Sequence, residues 1–373
     1  MSQRGSPLAR RTLADAGLAP IITGYRPGIT ERLFTNPHGG QWAPYPCPVP
    51  VELARRYAVV VDLLEEARPS MEARPSMEAG PSMEAGPSMV EGRASIDPEG
   101  VLFTAGSIAG IDLLVRCFCE PGEDRVCIST PTFPAFAQYA RFHGVEVVDV
   151  PLEGRDFNVL RTEAMSALGA KLTFVCTPNN PVGTTVAAEQ VLELVQRSRG
   201  LVVVDEAYVE LADVGSFARL VSRYPNLVVL RTFSKAWGLA GLRAGVVIAA
   251  PDVVHTLRIV QDPFACTAPV QAALARELHR VGELRAVLAR LRAERAALVA
   301  ALTRSPAVEY VYPTSTNFVL VRLRRPDAVY AALEREPDVF AANAHAHVPG
   351  TLKISMGRPD NDARLLSFLQ AHG

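Results

Sequence analysis

An α/β fold, with a large, mostly parallel-sheet domain and a smaller α+β domain, is predicted by three features of the chain. Short apolar runs rich in β-branched residues alternate with helix-period segments through its middle. A long helical stretch closes that alternation. Beyond it, short strand and helix patterns mix. The expected strands are "RVCI" (125–128), "VEVVDV" (145–150), "LTFVC" (172–176), "LVVVD" (201–205), "LVVL" (227–230) and "AGVVIA" (244–249). Between them lie helical segments such as "AAEQVLELVQRSR" (187–199). Near-continuous apolar strands separated by helices fit a parallel sheet covered on both faces. The stretch "ELRAVLARLRAERAALVAAL" (283–302) is the long helix, and "VEYVYP" (308–313) opens the mixed region. The expected division is a large domain over 45–260 and a small one formed by 1–44 with 261–373.

Residues 66–89 interrupt the large domain with four copies of a hexapeptide, EARPSM twice and EAGPSM twice. Proline recurs at 69, 75, 81 and 87, so no helix persists through it, and its few apolar side chains cannot build a stacked core. A tandem expansion in a solvent-exposed loop is expected.

Composition narrows the function. The 373 residues are 49% hydrophobic and 21% charged, ordinary for a globular protein able to bury a large core. A net charge of −1 offers no electrostatic reason for a nucleic-acid or acidic-membrane partner. No apolar run reaches spanning length, and the first 20 residues lack the apolar stretch of a secretory signal. Cys47, Cys117, Cys119, Cys127, Cys176 and Cys266 show no CxxC spacing, so buried thiols are expected, with neither a metal site nor a disulfide frame. A cytoplasmic protein is inferred.

The lysines are more specific. Of 38 Lys and Arg residues, 35 are arginine, and only Lys171, Lys235 and Lys353 are lysine. Arginine stays protonated, whereas a lysine can shed its proton and attack a carbonyl. In open parallel sheets ligands bind beyond the carboxyl ends of the strands, so the residues that follow each strand matter. "LTFVC" is followed by "TPNNPVG", with Asn179 and Asn180; "LVVVD" delivers Asp205, with Tyr208 three residues on. "LVVL" leads into "RTFSKAWGLAGLR", which offers Thr232, Ser234, Lys235 and Arg243. Upstream, "VLFTAGSIAGIDLLVRCF" sets Ala105, Gly106 and Ser107 before a helix, where backbone N–H groups can meet an anion.

Each feature alone is weak, since an acid at a strand end is often only a cap. Together they supply an amine for an imine, an acid for a pyridine nitrogen, donors for a phenolate oxygen and a cradle for a phosphate. That inventory suits pyridoxal 5′-phosphate. With "AGS", "PTFPAF", "TPNNPVG", "VVVDEAY" and "TFSKAWGLAGLR" in this order, the chain resembles the pyridoxal-phosphate aminotransferases of the aspartate aminotransferase fold. Within them it is similar to the histidinol-phosphate aminotransferases, from "TNPHGG" (35–40) to the C-terminus apart from the insert.

The resemblance implies a role for each matching residue. Lys235 would form the Schiff base and then move the α-proton, and Asp205 would pair with the ring nitrogen. Tyr208 and Asn180 would hydrogen-bond the ring oxygen. Phe133 occupies the place of the stacking aromatic, where the family usually has tyrosine. Gly106, Ser107, Thr232, Ser234 and Arg243 would hold the phosphate. Tyr45, in "YPCP", is similar to the tyrosine that reaches the neighbouring subunit's phosphate, which implies a homodimer with shared sites.

The substrate end departs from the family. Where the family carries arginine in a C-terminal strand, this chain reads "TLKISMG" with Lys353. Where the histidinol-phosphate enzymes carry an Arg-Asp pair, it has Ala341, Ala342 and Asn343. A lysine cannot make arginine's two-pronged contact with a carboxylate or phosphate. Each lost charge-assisted contact is worth roughly 1.5–3 kcal/mol. Arg358 and Arg26 are candidate substitutes, and His345 and His347, as strand positions i and i+2, would face one side, either as surface histidines or as contacts to a different substrate or an acid/base pair. The expected activity is amino transfer between an amino acid or amine and a 2-oxo acid. A lyase, decarboxylase or cyclase on the same fold is the alternative, because groups at the substrate end decide the carbanion's fate. A non-catalytic ligand-sensing domain is a further class, disfavoured by the intact set of cofactor groups.

Overall fold

The computed structural model describes residues 45–66, 95–336, 338–357 and 359–373. The expected N-terminal part of the small domain (1–44, with Arg26), the repeats beyond Glu66, and Arg358 lie outside the described residues. Among the described residues no helix is long and apolar enough to cross a membrane.

The large sheet has seven strands: β1 (Val101–Thr104), β2 (Arg125–Ile128), β3 (Glu146–Asp149), β4 (Leu172–Cys176), β5 (Leu201–Asp205), β6 (Leu227–Thr232) and β7 (Gly245–Ile248). Their spatial order is β1-β7-β6-β5-β4-β2-β3. Every residue of β4, β5 and β6 is buried, as their mostly apolar sequences favour, and Asp205, Arg231 and Thr232 at the strand ends are buried with them. Alternation sends Val202, Val204 and Val229 into one core and Leu201, Val203, Val228 and Leu230 into the other. The helices α1 (Val51–Glu65), α2 (Ser107–Phe118), α3 (Ala135–Phe142), α4 (Thr162–Ala167), α5 (Ala188–Arg197) and α6 (Pro251–Val260) cover these faces. In α5, Val191, Leu194 and Val195 form the buried stripe, at the spacing that the sequence shows.

The sheet is parallel from β3 through β6, and β7 runs antiparallel to both β6 and β1. The reason is local. A parallel return needs a crossover, usually through a helix. The connection 233–244 contains only a short 3₁₀ turn, Ala240–Leu242, so the chain folds straight back. This return holds Lys235 at the sheet's carboxyl edge and brings Gly245 beside the start of α2.

A second sheet is antiparallel, ordered β10 (Ala341–Asn343), β11 (Thr351–Ser355), β9 (Phe318–Leu323), β8 (Val308–Val311). The helices α9 (Pro326–Leu333) and α10 (Pro359–His372) accompany it. Two further helices, α7 (Ala268–Glu277) and α8 (Val281–Thr303), join the sheets. Val281, Leu284 and Leu288 of α8 pack in the large core, whereas Leu298 and Leu302 pack in the small one. The expected boundary at 261 falls upstream of this change of partner, since Cys266, Leu274 and Leu278 also belong to the large core.

On the sheet face opposite Asp205 and Thr232 lies a buried charge network. Arg231 donates to Glu206 at 2.8 Å, to Glu210 at 3.0 Å and to the Ser216 hydroxyl at 2.5 Å. Glu206 also accepts the Phe217 N–H at 2.6 Å, and Glu65 at the end of α1 accepts the Ser216 N–H at 2.8 Å. Burial holds the Glu206 carboxyl above its ordinary pKa, with the Arg231 charge opposing that rise. The ends of β5 and β6 are thereby tied together from behind.

Candidate active site

A cavity of about 200 Å³ opens at the carboxyl ends of β4, β5 and β6. Lys235, Asp205, Tyr208, Asn180 and Phe133 line it, as do Ser107, Thr232, Ser234 and Arg243. Gly106 lies directly behind, with its φ at +83° and the Arg243 guanidinium close against it. The sequence-predicted cofactor residues thus converge, with one exception. Tyr45 is 54% exposed and stacks on Phe264 at 4.6 Å, away from the cavity of its own chain.

Asp205 ends β5 and is only 3% exposed. Its carboxylate accepts the Ala207 N–H at 3.0 Å, yet burial pushes its pKa up to about 6. Lys235 faces the cavity with its Nζ 5.4 Å from the centre of the Tyr208 ring. Its surroundings lower its pKa, chiefly through desolvation, with Asp205 opposing and Arg243 assisting. That is the direction needed for a nucleophilic amine. Burial raises the Tyr208 phenol above its ordinary range, with Cys176 and Asp205 adding to the effect, so it remains a donor at neutral pH.

At the other end, α2 starts at Ser107 with no side-chain cap on its N-terminus. Unsatisfied N–H groups and the helix dipole favour an anion there. The hydroxyls of Thr232 and Ser234 meet at 3.0 Å beside it. Arg243 adopts φ +53°, a left-handed conformation that costs a non-glycine residue about 1–2 kcal/mol. The strain is consistent with a guanidinium held where a ligand needs it. A Cβ on Gly245 would lie 2.4 Å from both Gly106 C and Ser107 N. Only glycine lets β7 approach this helix start. Gly245→Ala is expected to weaken binding of pyridoxal phosphate about tenfold or more and to destabilise the fold by about 1–3 kcal/mol. Fluorescence titration with the cofactor and a thermal melt test both. Amine, buried acid, hydroxyl donors and uncapped helix start together fit pyridoxal 5′-phosphate, with its aldehyde, ring nitrogen, ring oxygen and phosphate.

The substrate end differs from expectation. His345 and His347 do not lie in a strand: β10 ends at Asn343, and both occupy an exposed turn. Buried Ala344 and Val348 pin that turn, with the Val348 N–H bonded to the Ala344 carbonyl, so the histidines do not line the cavity. The His345 ring instead packs edge-on against Tyr330 at 6.0 Å. Lys353 does reach the site, donating from Nζ to Asn180 Oδ1 at 2.7 Å with its Nζ 4.0 Å from the centre of the Phe318 ring. Asn179, by contrast, is structural: it donates to Pro131 O and accepts the Val182 N–H.

Ile108, Cys176, Ala207 and Ala240 also line the cavity and were not anticipated. They carry no chemistry-bearing group except the Cys176 thiol, which burial keeps protonated and which reads in sequence as one more buried cysteine. Each adjoins a recognised motif, and that adjacency is the only signal. Five of the six cysteines are buried, and Cys47 is exposed.

Residues 88–369 match the family described as aminotransferase class I and II. The chain belongs to that family. It is 35% identical over 283 residues to a histidinol-phosphate aminotransferase of Shigella boydii, covering 74% of this chain and 80% of that protein. Among solved structures it resembles histidinol-phosphate aminotransferase of Sinorhizobium meliloti in complex with pyridoxal-5′-phosphate. The TM-score is 0.71 at 20% identity, over 100% of this chain and 98% of the other. An L-threonine-O-3-phosphate decarboxylase of Porphyromonas gingivalis shares the fold, with a TM-score of 0.68 at 21% identity over 88% and 93% of the two chains.

Proposed function

We propose that the protein uses pyridoxal 5′-phosphate to move an amino group from histidinol phosphate, or a closely related amine or amino acid, to a 2-oxo acid. The observation that carries this reading is the convergence of Lys235, Asp205 and the uncapped start of α2 on one cavity. When bound, the cofactor supplies a conjugated electron sink for the substrate's α-carbon. Lys235 would hold it covalently and, once released by the substrate's amine, would carry the α-proton on Nζ. Asp205, its carboxyl raised to about 6 by burial, would pair with the ring nitrogen. Tyr208 and Asn180 would donate to the ring oxygen, Phe133 would cover a ring face, and Gly106, Ser107, Thr232, Ser234 and Arg243 would hold the phosphate.

Lys353 takes the place of an anion-binding arginine at the substrate end, with Arg358 as the second candidate. His345 and His347 have no part in this reading, being on an exposed turn. Tyr45 serves the partner subunit of a homodimer. Its exposure, and that of Val51 and Val59 on α1, supports such an interface. The enzyme is read as cytoplasmic and biosynthetic, in keeping with buried cysteines that lack disulfide spacing. The two domains divide within α8.

The test is a coupled assay with histidinol phosphate and 2-oxoglutarate. Glutamate is expected to form in equal measure with loss of the amine. Release of carbon dioxide from an amino acid, with no oxo acid consumed, would replace this reading by the decarboxylase one.

A further inference from the structure

Tyr208 and Phe318 come from different sheets and meet edge-on, with ring centres 5.4 Å apart. Tyr208 follows β5 and lines the cavity, whereas Phe318 opens β9, with Lys353 Nζ 4.0 Å from its ring centre. The groups that set the spacing of these rings lie behind them, on α8. Between Leu288, in the large core, and Leu298, in the small one, that helix presents Arg292 and Arg295. Three residues apart, they share one face.

Both guanidiniums donate to backbone carbonyls. Tyr208 precedes a single 3₁₀ turn, Val209–Leu211, in which the Leu211 N–H returns to the Tyr208 carbonyl at 3.0 Å. Carbonyls at the end of a helical turn lack partners within it. Arg292 meets those of Glu210 at 3.0 Å, Leu211 at 3.3 Å and Ala212 at 3.1 Å. Arg295, only 8% exposed, donates from Nη1 to Leu211 O at 3.0 Å and also to Thr316 O at 3.2 Å. Thr316 in turn holds Phe318, its hydroxyl accepting the Phe318 N–H at 3.3 Å. Asp213 pairs with Arg295 only at 3.9 Å, and its side chain is 73% exposed, so it does little to fix the guanidinium. The contacts close a circuit. It runs from Arg295 to Leu211, back through the turn to Tyr208, across to the Phe318 ring, and by way of Thr316 to Arg295 again.

We propose that Arg295 is a positioning residue: by holding Leu211 and Thr316 with one nitrogen, it sets where the Tyr208 hydroxyl stands when the cofactor is bound. The proposal rests on the aminotransferase reading and deepens it, since Tyr208 is there a donor to the ring oxygen. A neutral side chain of similar length would leave the buried Thr316 carbonyl without this donor and let the turn shift. A hydrogen bond weakens steeply as its geometry departs from linear, so a small shift suffices.

The test is a double-mutant cycle read on the absorbance of the bound cofactor. The pH at which that absorbance changes reports the donors to the ring oxygen. With a donor lost, the oxygen's negative charge is less stabilised, a proton is held more tightly and the midpoint rises. Tyr208→Phe is expected to raise the midpoint by about one to two pH units, and Arg295→Met by about one unit. Affinity for pyridoxal phosphate, by fluorescence titration, should weaken about tenfold in Arg295→Met. In the double variant, Arg295→Met should add nothing to Tyr208→Phe, because it acts through that hydroxyl. Arg295→Gln, too short to span both carbonyls yet able to satisfy one, is expected to give the same rise and keeps the test decisive should the methionine variant not fold. An arginine that only stabilised the fold would lower the melting temperature and leave the midpoint in place. An unshifted midpoint in a folded Arg295 variant, or shifts that add in the double variant, overturns the proposal. Failure of the amino-transfer reading would register separately, as wild-type protein that takes up no pyridoxal phosphate or moves no amino group in the coupled assay.

Discussion

Lys235→Ala is expected to lower kcat for amino transfer by about 10⁴-fold or more, since in the proposed mechanism one amine supplies both the covalent attachment and the proton transfer. The loss should be chemical and not structural. Lys235 faces the cavity and lies in a loop with little core to disturb. The cavity residues Ser107, Thr232, Ser234 and Arg243, proposed to hold the phosphate, are untouched by the change. The variant should therefore still take up pyridoxal phosphate, as gel filtration followed by absorbance would show. A small added amine should restore part of the proton transfer. Lys235→Arg should be no better than alanine, because a guanidinium neither condenses with an aldehyde nor gives up its proton near neutral pH. Activity within tenfold of wild type in either variant would remove Lys235 from the mechanism.

Asp205→Asn is expected to cost roughly 10²–10³-fold in kcat, the usual effect of deleting one preorganised charge at a reacting centre. Its pH signature is more telling. The carboxyl of Asp205 is raised from 3.8 to about 6, so it is charged above pH 6 and takes a proton below it. Cofactor affinity of the wild-type protein should fall as pH drops through about 6, and that of the asparagine variant should not. The sign for stability is opposite. A carboxyl that binds its proton more tightly when folded favours the folded state at low pH, and this contribution is lost as pH rises from about 4 to 6. At pH 7 the buried charge costs the cofactor-free protein up to about 3 kcal/mol. Asp205→Asn should thus raise the melting temperature of the cofactor-free protein while nearly abolishing turnover, a trade of stability for function. A lower melting temperature would show that the carboxylate is held by something other than the cofactor.

Much of the site was legible because parallel sheets place ligands in one predictable position. Once "LVVVD" and "LVVL" are recognised as neighbouring strands, Asp205 and Lys235 must emerge on the same edge. The observed strands match those runs, to the residue for β2, β4 and β5. The reversal of β7 was not legible, since "AGVVIA" reads the same in either direction and only the helix-poor loop before it sets the sense. The turn holding His345 and His347 was misread for a related reason. Alternating Ala-His pairs mimic a two-residue period, but buried Ala344 and Val348 stand four apart and close a turn. The bond between Lys353 and Asn180 joins residues 173 positions apart, and no local pattern announces such a contact.

The network behind the sheet bears on how such a protein can change over time. Arg231 and Glu206 are each next in sequence to a residue that lines the cavity, and both are almost fully enclosed. Loss of Glu206 leaves Arg231 with Glu210 alone, and loss of Arg231 strands two carboxylates in the interior, a penalty of about 3–5 kcal/mol that is a large part of a natural protein's stability. Drift at one must therefore await a matching change at the other, so this edge of the sheet is held from both sides, by chemistry in front and by trapped charge behind. The short strand β10 and the exposed turn after it carry no comparable burden. A lineage built this way can exchange its substrate while its cofactor machinery stands still, and the stretch from Ala341 to Lys353 is where such an exchange would leave its mark.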